Sequence, residues 1–212
     1  MERRNLLAEQ FEDHEKQANA ARFGMWIFLG SESLLFAGLF ALYGAYRALY
    51  PADFVRAAGH NNIVIGTANT AILITSSLTV ALGVHAARSG RLRRTALLYG
   101  VSILFGLMFF GLKATEYAEH FRQGIFPGSA YHFAELSSFG ARTFFTIYFL
   151  TTGLHALHVV AGLILLGWVA FGCLRGVYSA EHHTPVVLGG LYWHLVDVIW
   201  IFLWPLLYLS HA

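Results

Sequence analysis

Three pairs of ionisable residues in this sequence are spaced i, i+3, a spacing that places both members of a pair on one face of a helix. The pairs are Glu116 with Glu119, His155 with His158, and His194 with Asp197. Each pair lies in or beside an apolar run, and Glu32 lies alone inside another. Ionisable groups at membrane depth cost about 2.5 to 3.5 kcal/mol each on insertion scales. Residues of these types could form a metal or haem site, a proton path, or hydrogen bonds between helices.

The apolar runs that carry these residues predict membrane-spanning helices. Of 212 residues, 57% are hydrophobic and 12% are charged, and the charged share is about half that of a typical soluble domain. A helix that crosses a hydrocarbon core of about 30 Å needs roughly 20 apolar residues. Five runs are long enough, at residues 23–46, 63–86, 95–115, 144–171 and 186–209. The sequence therefore predicts an all-α integral membrane protein, a bundle of five transmembrane helices.

The charges outside these spans predict the orientation of the chain. Residues 1–22 form a polar N-terminal tail that we expect to stay uncleaved, because it lacks the basic-then-apolar order of a signal peptide, and residues 23–212 form the membrane domain. Of the 14 Lys and Arg residues, nine lie on the side of the tail and five, including Lys113 at the end of the third span, on the other side. This excess predicts a cytoplasmic N-terminus and an external C-terminus. We expect residues 117–143 to form an ordered external loop, because they contain turn-forming Pro and Gly.

Composition excludes several other classes of protein. The formal net charge is +2 and the one dense basic run is RSGRLRR, so the sequence does not predict binding to nucleic acid. Cys173 is the single cysteine, which excludes a disulfide framework, a Cys-x-x-Cys-His haem attachment and a paired-thiolate metal site. Any redox centre would need ligands other than thiolates.

A metal or haem site is the first of the three possibilities. Carboxylates together with a His-x-x-His pair are compatible with di-iron chemistry, and histidines on separate helices are compatible with haem. Di-iron bundles place Glu-x-x-His on single helices, and none of the predicted spans has that order. We therefore assign no catalytic residue and no metal ligand in this chain.

A proton path and hydrogen bonds between helices are the other two possibilities. Glu32 is the one strong candidate for a proton path, but it lacks a chain of acidic or histidine partners across the membrane. Hydrogen bonds between helices need no such chain. We therefore expect His194 and Asp197 to bond to polar groups of neighbouring spans, with His155, His158 and Glu32 as the candidates.

Other residues predict how the spans pack. The first span has small residues at heptad spacing, at Gly24, Ser31, Gly38 and Ala45. Small side chains allow helices to approach closely, so we expect this face and the buried Asn69 of the second span to lie inside a compact bundle. Glu116 and Glu119 lie at the outer end of the third span, where we expect water or headgroups to reach them. Trp193 and Trp200 belong to a stripe that fills a helix interface or contacts lipid, with quinone stacking as a weaker alternative.

Five motifs in order resemble subunit III of the haem–copper respiratory oxidases. From Arg22 onward they are RFGMWIFLGSESLLFAGLFALY, NTAILITSSLTVALGVHAA, FGLKATEYAE, TTGLHALHVVAGLILL and GLYWHLVDVIWIFLWPLLYL. Together they cover nearly all of the chain, in the five-helix form of bacterial members. By motif position, Glu32 matches the buried glutamate of that family that reacts with carbodiimide.

The resemblance implies a chain without a redox centre of its own. Subunit III of these oxidases packs against the catalytic subunit I, in a complex that also contains subunit II, and haem and copper lie in the partner subunits. It also binds structural phospholipid in a cleft between its helices and is thought to sustain proton uptake. Arg175 lies near a position that holds a lipid phosphate in the family, and Trp193 and Trp200 are further candidates for lipid contact.

The expected function is that of a non-catalytic subunit of a cytochrome c oxidase in the bacterial cell membrane, supporting aerobic electron transport, reduction of oxygen to water and proton pumping. A related accessory subunit of a nitric oxide reductase or of a quinol oxidase is the alternative, although Glu32 in place of Asp favours the cytochrome c oxidase. A freestanding membrane metalloenzyme is the alternative of a different class. If polar contacts hold the helices together, Asp197→Leu should loosen the bundle and lower recovery of the complex without changing its haem spectrum.

Overall fold

The computed structural model describes residues 10–210, and within that range the chain is almost entirely helical. The α-helices are α1 (His14–Leu49), α2 (Pro51–Ala58), α3 (Ile63–Arg88), α4 (Leu92–Arg122), α5 (Phe139–Leu174) and α6 (Thr184–Trp204). All except α2 are long and apolar enough to cross a membrane, which confirms the predicted all-α fold with five transmembrane helices. Residues 1–9 and 211–212, which include Arg3 and Arg4 of the predicted tail, lie outside the described residues.

The two ends of the bundle differ in structure. At the end where α1 begins, the ring centroids of His14 and His182 lie 4.0 Å apart, and this end is named the amino-terminal end. The opposite end carries α2, the last described residues and the segment 123–138, and is named the long-loop end. Which end faces the cytoplasm stays a prediction.

The long loop is ordered but shorter than the predicted 117–143. It contains two short 3₁₀ turns, at Gly128–Ala130 and Ala134–Leu136. The Tyr131 hydroxyl donates to the Leu136 carbonyl at 2.8 Å, and burial raises the pKa of Tyr131 to about 12. The loop is short because α4 continues past the predicted span.

The last turn of the chain is irregular. Pro205 has no N–H group, so it cannot continue the α-helical hydrogen-bond ladder of α6. The chain continues as a π-helical turn over Pro205–Leu209. This turn places the Tyr208 side chain inside the bundle, where it is fully buried.

Helix α1 contacts the bundle through one narrow face. Its buried residues are Leu29, Phe36 and Tyr43. Ser31 lies two positions after Leu29, which corresponds to a rotation of about 200° around the helix. The small residues therefore face away from the bundle, and a Cβ added at Gly24 or Gly38 would meet nothing within 4 Å. The prediction that this small face packs inside the chain is wrong.

Glycines allow α4, α5 and α6 to enclose Trp193. The indole is fully buried. A Cβ built at Gly162 on α5 would lie 2.7 Å from the Trp193 ring, and one at Gly106 on α4 would lie 3.1 Å from it. The distance at Gly162 is shorter than real Cβ contacts, and the distance at Gly106 is tighter than most of them, so a side chain at either position would push against the indole.

Candidate functional site: polar contacts inside the helix bundle

Glu32 and His158 link α1 to α5. Nε2 of His158 lies 2.9 Å from Oε2 of Glu32, and Nδ1 of His158 lies 2.9 Å from the Leu154 carbonyl. The Glu32 side chain is 20% exposed and the His158 side chain is 13% exposed, so the pair lies at the edge of the bundle. This contact joins two of the residues that were candidate partners for His194 and Asp197.

The chemistry of this pair follows from the Leu154 carbonyl. A carbonyl oxygen can only accept a hydrogen bond, so Nδ1 of His158 carries a proton. The contact between Nε2 and Glu32 then needs one further proton, held either by the imidazole or by the carboxyl group. The pair can therefore hold a proton as well as join two helices.

A second polar group surrounds Lys113, deep in α4. Its ammonium donates to Oε2 of Glu116 at 2.8 Å and to the hydroxyls of Tyr148 and Tyr208 at 2.9 Å each. The Tyr208 hydroxyl in turn donates to the same Glu116 oxygen at 2.8 Å. An ammonium has three N–H donors, so every donor of Lys113 has an acceptor. This arrangement saturates the ammonium of a buried ion pair with partners from three parts of the chain.

Aromatic rings complete the environment of Lys113. Its Nζ lies between 4.8 and 5.6 Å from four ring centroids, those of Tyr117, Tyr148, Trp200 and Tyr208. Cation–π attraction adds to stability most where the cation is removed from water. Lys113 is 6% exposed, so this condition holds here.

The sequence interpretation missed the role of Lys113, which it placed at a helix end as a charge for orientation. The signal was present, because Lys113, Glu116 and His120 are spaced i, i+3, i+7 and so share one helix face. Glu116 is 3% exposed, which corrects the expectation that water or headgroups reach it as an end residue. Glu119 fits that expectation, with a side chain that is 57% exposed.

His194 and Asp197 face α3. Nδ1 of His194 lies 2.7 Å from the Ser77 hydroxyl, and the same hydroxyl interacts with the Asp197 carboxyl group. No hydrogen bond of normal geometry reaches either Asp197 oxygen from the described residues. The expected contacts of these two residues with His155, His158 or Glu32 are therefore not formed. The bulky indoles of α6 fill the space toward α4 and α5. His194 and Asp197 therefore have the short side chains of α3 as their neighbours.

His155 and Asn69 are fully buried. Neither ring nitrogen of His155 and neither amide atom of Asn69 has a hydrogen-bond partner among residues 10–210. The ring centroid of His155 lies 5.6 Å from that of Phe109 and 5.2 Å from that of Trp200. Both residues therefore lie in the interior, as predicted. The neighbours of the His155 imidazole are aromatic rather than polar.

The predicted lipid-binding residues have different environments. Trp193 and Trp200 are fully buried, and their Nε1 groups donate to Ser76 and Thr70 at 3.0 Å each. Contact with an external phospholipid is therefore closed to both indoles, which corrects that part of the prediction. Arg175 is exposed, and its guanidinium carbon lies 4.3 Å from the centroid of Phe171.

The described residues offer no ready-made metal site. Within residues 10–210, no three His, Cys, Asp or Glu side chains are grouped as ligands of one ion would be. His155 and His158, which could have been neighbouring ligands, diverge toward the core and toward α1. The polar residues of the spans instead contact one another or lie among aromatic rings.

Comparisons with known proteins identify the family. A sequence model of the family described as "Cytochrome c oxidase subunit III" matches residues 4–211. The chain is 34% identical over 189 residues to "Cytochrome c oxidase subunit 3" of Thermostichus vulcanus, with 88% of this chain and 85% of the relative covered. It is 30% identical over 190 residues to "Probable cytochrome c oxidase subunit 3" of Nocardia farcinica, with 90% and 88% covered. It is 31% identical over 200 residues to "Cytochrome bo(3) ubiquinol oxidase subunit 3" of Pseudomonas aeruginosa, with 94% and 88% covered. This multi-pass membrane protein therefore belongs to the subunit III family of the cytochrome c oxidases.

Proposed function

We propose that this chain is the non-catalytic subunit III of a cytochrome c oxidase in a bacterial cell membrane. In this role it binds the catalytic subunit I, in a complex with subunit II, and supports reduction of oxygen to water and proton pumping. Haem and copper belong to the partner subunits. The bacterial sources of the relatives and the names of those proteins support this assignment.

One observation carries the proposal of a supporting role. Ionisable side chains at membrane depth form contacts between helices of this same chain, as in Glu32 with His158 and Lys113 with Tyr148. Groups that are occupied in this way hold the bundle together and are poorly placed to ligate a redox metal. Electron transfer is therefore assigned to other chains of the complex.

The small face of α1 is the surface that we assign to subunit I. Gly24, Ser31 and Gly38 are exposed, and nothing within the described residues covers them. Helices in membranes associate through small residues that allow close approach. A transmembrane helix of the partner can therefore pack directly against the α1 backbone.

Purification of the tagged native protein tests the proposal. We expect subunits I and II to co-purify, with haem and copper in the complex and neither bound to this chain when it is expressed alone. Oxidation of reduced cytochrome c, and not of ubiquinol, is the expected activity. Stoichiometric iron, copper or haem on the isolated chain would instead support the freestanding metalloenzyme.

A substitution at the α1 face tests the docking surface. Gly38→Leu should reduce co-purification of subunit I, because the added side chain separates the helices. Gly111→Leu on α4 is the matched control, since a Cβ there also meets nothing within 4 Å. Equal recovery of subunit I with both variants would place the interface elsewhere.

Phospholipid binding is proposed at Arg175, at the amino-terminal end of the bundle. An exposed guanidinium is a bidentate donor for a phosphate group, and that of Arg175 lies against the Phe171 ring. Arg175→Gln should lower the lipid phosphate that co-purifies with the complex. Arg93→Gln, at another exposed arginine, is the control, and an equal loss with both would show that general charge and not this site retains the lipid.

A further inference from the structure

We propose that the long-loop end of the bundle contains a water-binding site that hydrates the Lys113–Glu116 ion pair. The site is a cavity of about 110 Å³ between the start of α3 and the end of α4. Ile65, Glu116 and His120 form part of its wall, and Glu119 and Gln123 also line it. This site goes beyond the proposed function and does not depend on the identity of the electron donor.

Two of the residues that line the cavity each have a polar atom without a partner. Glu116 and His120 are each 3% exposed, and neither Oε1 of Glu116 nor Nδ1 of His120 has a hydrogen-bond partner among residues 10–210. The other Glu116 oxygen already accepts from Lys113 and Tyr208. Buried polar atoms in proteins almost always have a partner, ordered water included. Both residues line the cavity, so a small ligand there is the candidate for the missing partner.

The chemistry of these two atoms selects water. A carboxylate oxygen accepts hydrogen bonds, and an imidazole nitrogen either accepts or donates, so water is a suitable partner for each. A water molecule in the liquid takes up roughly 30 Å³, and buried water favours polar sites with several partners. A bare cation fits less well, because Lys113 already neutralises Glu116 at 2.8 Å.

The cavity opens toward polar groups at the membrane surface. Gln123 bridges the rim, since its Oε1 lies 2.5 Å from Nε2 of His60 and its Nε2 donates to Oε1 of Glu119 at 2.7 Å. Glu119 is exposed, which connects the rim to the surroundings. On the other side of the ion pair, Tyr148 and Trp200 are fully buried and close the interior. Water therefore reaches the pair from the long-loop end.

Hydration explains how this ion pair is tolerated in the bundle. A buried pair is stable only if further hydrogen bonds satisfy the lone pairs that the two charges leave over. The two tyrosines and Glu116 saturate Lys113, whereas Oε1 of Glu116 is left for water. The site therefore completes the hydrogen bonding of the pair.

Radiolytic footprinting of the purified oxidase complex in isotopically labelled water tests the proposal. Radicals formed from bound water oxidise the side chains beside it, and mass spectrometry identifies them. We expect His120 to be oxidised with incorporation of the label and His155 to stay unmodified. His155 is an internal control, because it is also a buried imidazole without partners but is packed against Phe109 and Trp200. Oxidation of His120 at or below the level of His155 would overturn the proposal.

A cavity-filling variant provides a second measurement. Ile65→Phe adds volume inside the site, so labelling of His120 should fall to the level of His155. Ile74→Phe adds the same group on α3 at a position that is 50% exposed, and it should leave labelling of His120 unchanged. Unchanged labelling in Ile65→Phe would contradict a water site in this cavity. The comparison of His120 with His155 needs no substitution, so it stands even if Ile65→Phe fails to assemble.

Discussion

Removing either member of the Lys113–Glu116 pair should destabilise the bundle strongly. Lys113→Met leaves the Glu116 carboxylate in a site where its side chain is 3% exposed, with Tyr208 as the donor that remains among the described residues. Glu116→Leu leaves the ammonium buried without its counter-ion. Loss of one partner of a buried ion pair costs about 3 to 5 kcal/mol, chiefly because the other charge stays buried. Each single variant should lower the free energy of unfolding by that amount.

The double variant Lys113→Met with Glu116→Leu should behave differently. It removes both charges and replaces them with apolar side chains of similar size. Such a replacement is often neutral or stabilising, although the Tyr148 and Tyr208 hydroxyls lose their bonds to the pair, so we expect a cost well below the sum of the two single costs. The two single costs should therefore not add, which is the mark of a direct interaction.

Reversible unfolding of the purified chain by added dodecyl sulfate, followed by tryptophan fluorescence, measures these free energies. Lys16→Met is the control, because its ion pair with Glu12 has side-chain exposures of 58% and 81%. Exposed pairs contribute about 0 to 1 kcal/mol, so this variant should change little. If the single costs add in the double variant, or if Lys113→Met costs no more than Lys16→Met, the two side chains are not a buried pair.

Three further outcomes are expected. Asp197→Leu should raise the free energy of unfolding by about 1 to 3 kcal/mol in the same assay, since it removes a buried carboxyl group without a full set of partners; a decrease would restore the sequence-based expectation that this residue joins helices. Gly162→Ala should lower the free energy of unfolding by about 1 to 3 kcal/mol, because the new Cβ meets Trp193. Gly111→Ala, whose Cβ lies in open space, should instead raise it by about 0.5 to 1 kcal/mol, and equal effects of the two variants would contradict the described packing. Alkaline phosphatase fused to the C-terminus should be active in intact cells and a green fluorescent protein there should not fluoresce; the reverse result would invert the predicted orientation.

The number of transmembrane helices was predictable from the sequence because hydropathy is a local property. The length of α4 was not, because hydropathy averaged over a window does not show whether a charge has a partner inside the bundle. The sequence predicts the third span at residues 95–115, since the charges that follow lower the mean hydropathy. In the structure α4 continues to Arg122, with Lys113 and Glu116 paired inside it. A charge that has its partner within the bundle does not end a helix, so only the i, i+3, i+7 spacing could have indicated a shared buried face.

The choice of partners was not predictable from spacing. His155 and His158 differ by about 60° in direction around α5. That difference is enough for His158 to reach Glu32 on α1 while His155 enters the core beside Trp200. The rotation of α5 depends on where bulky groups such as Trp193 fit between helices. This is a property of three-dimensional packing that pairwise spacing does not contain.

The rotation of α1 connects these internal contacts to the proposed assembly. The contact of Glu32 with His158 fixes the middle of the helix. At the long-loop end, Tyr43 donates to the Leu206 carbonyl at 2.6 Å and Arg47 donates to the Ser210 carbonyl at 3.1 Å. Apolar side chains are equally well solvated by lipid in any rotation, so polar contacts are what fix the direction of a peripheral helix. Because these contacts keep Gly38 directed outward, a partner helix would meet a small-residue surface that is already formed. Breaking the contact between Glu32 and His158 should therefore weaken the association with subunit I without any change on the docking face itself.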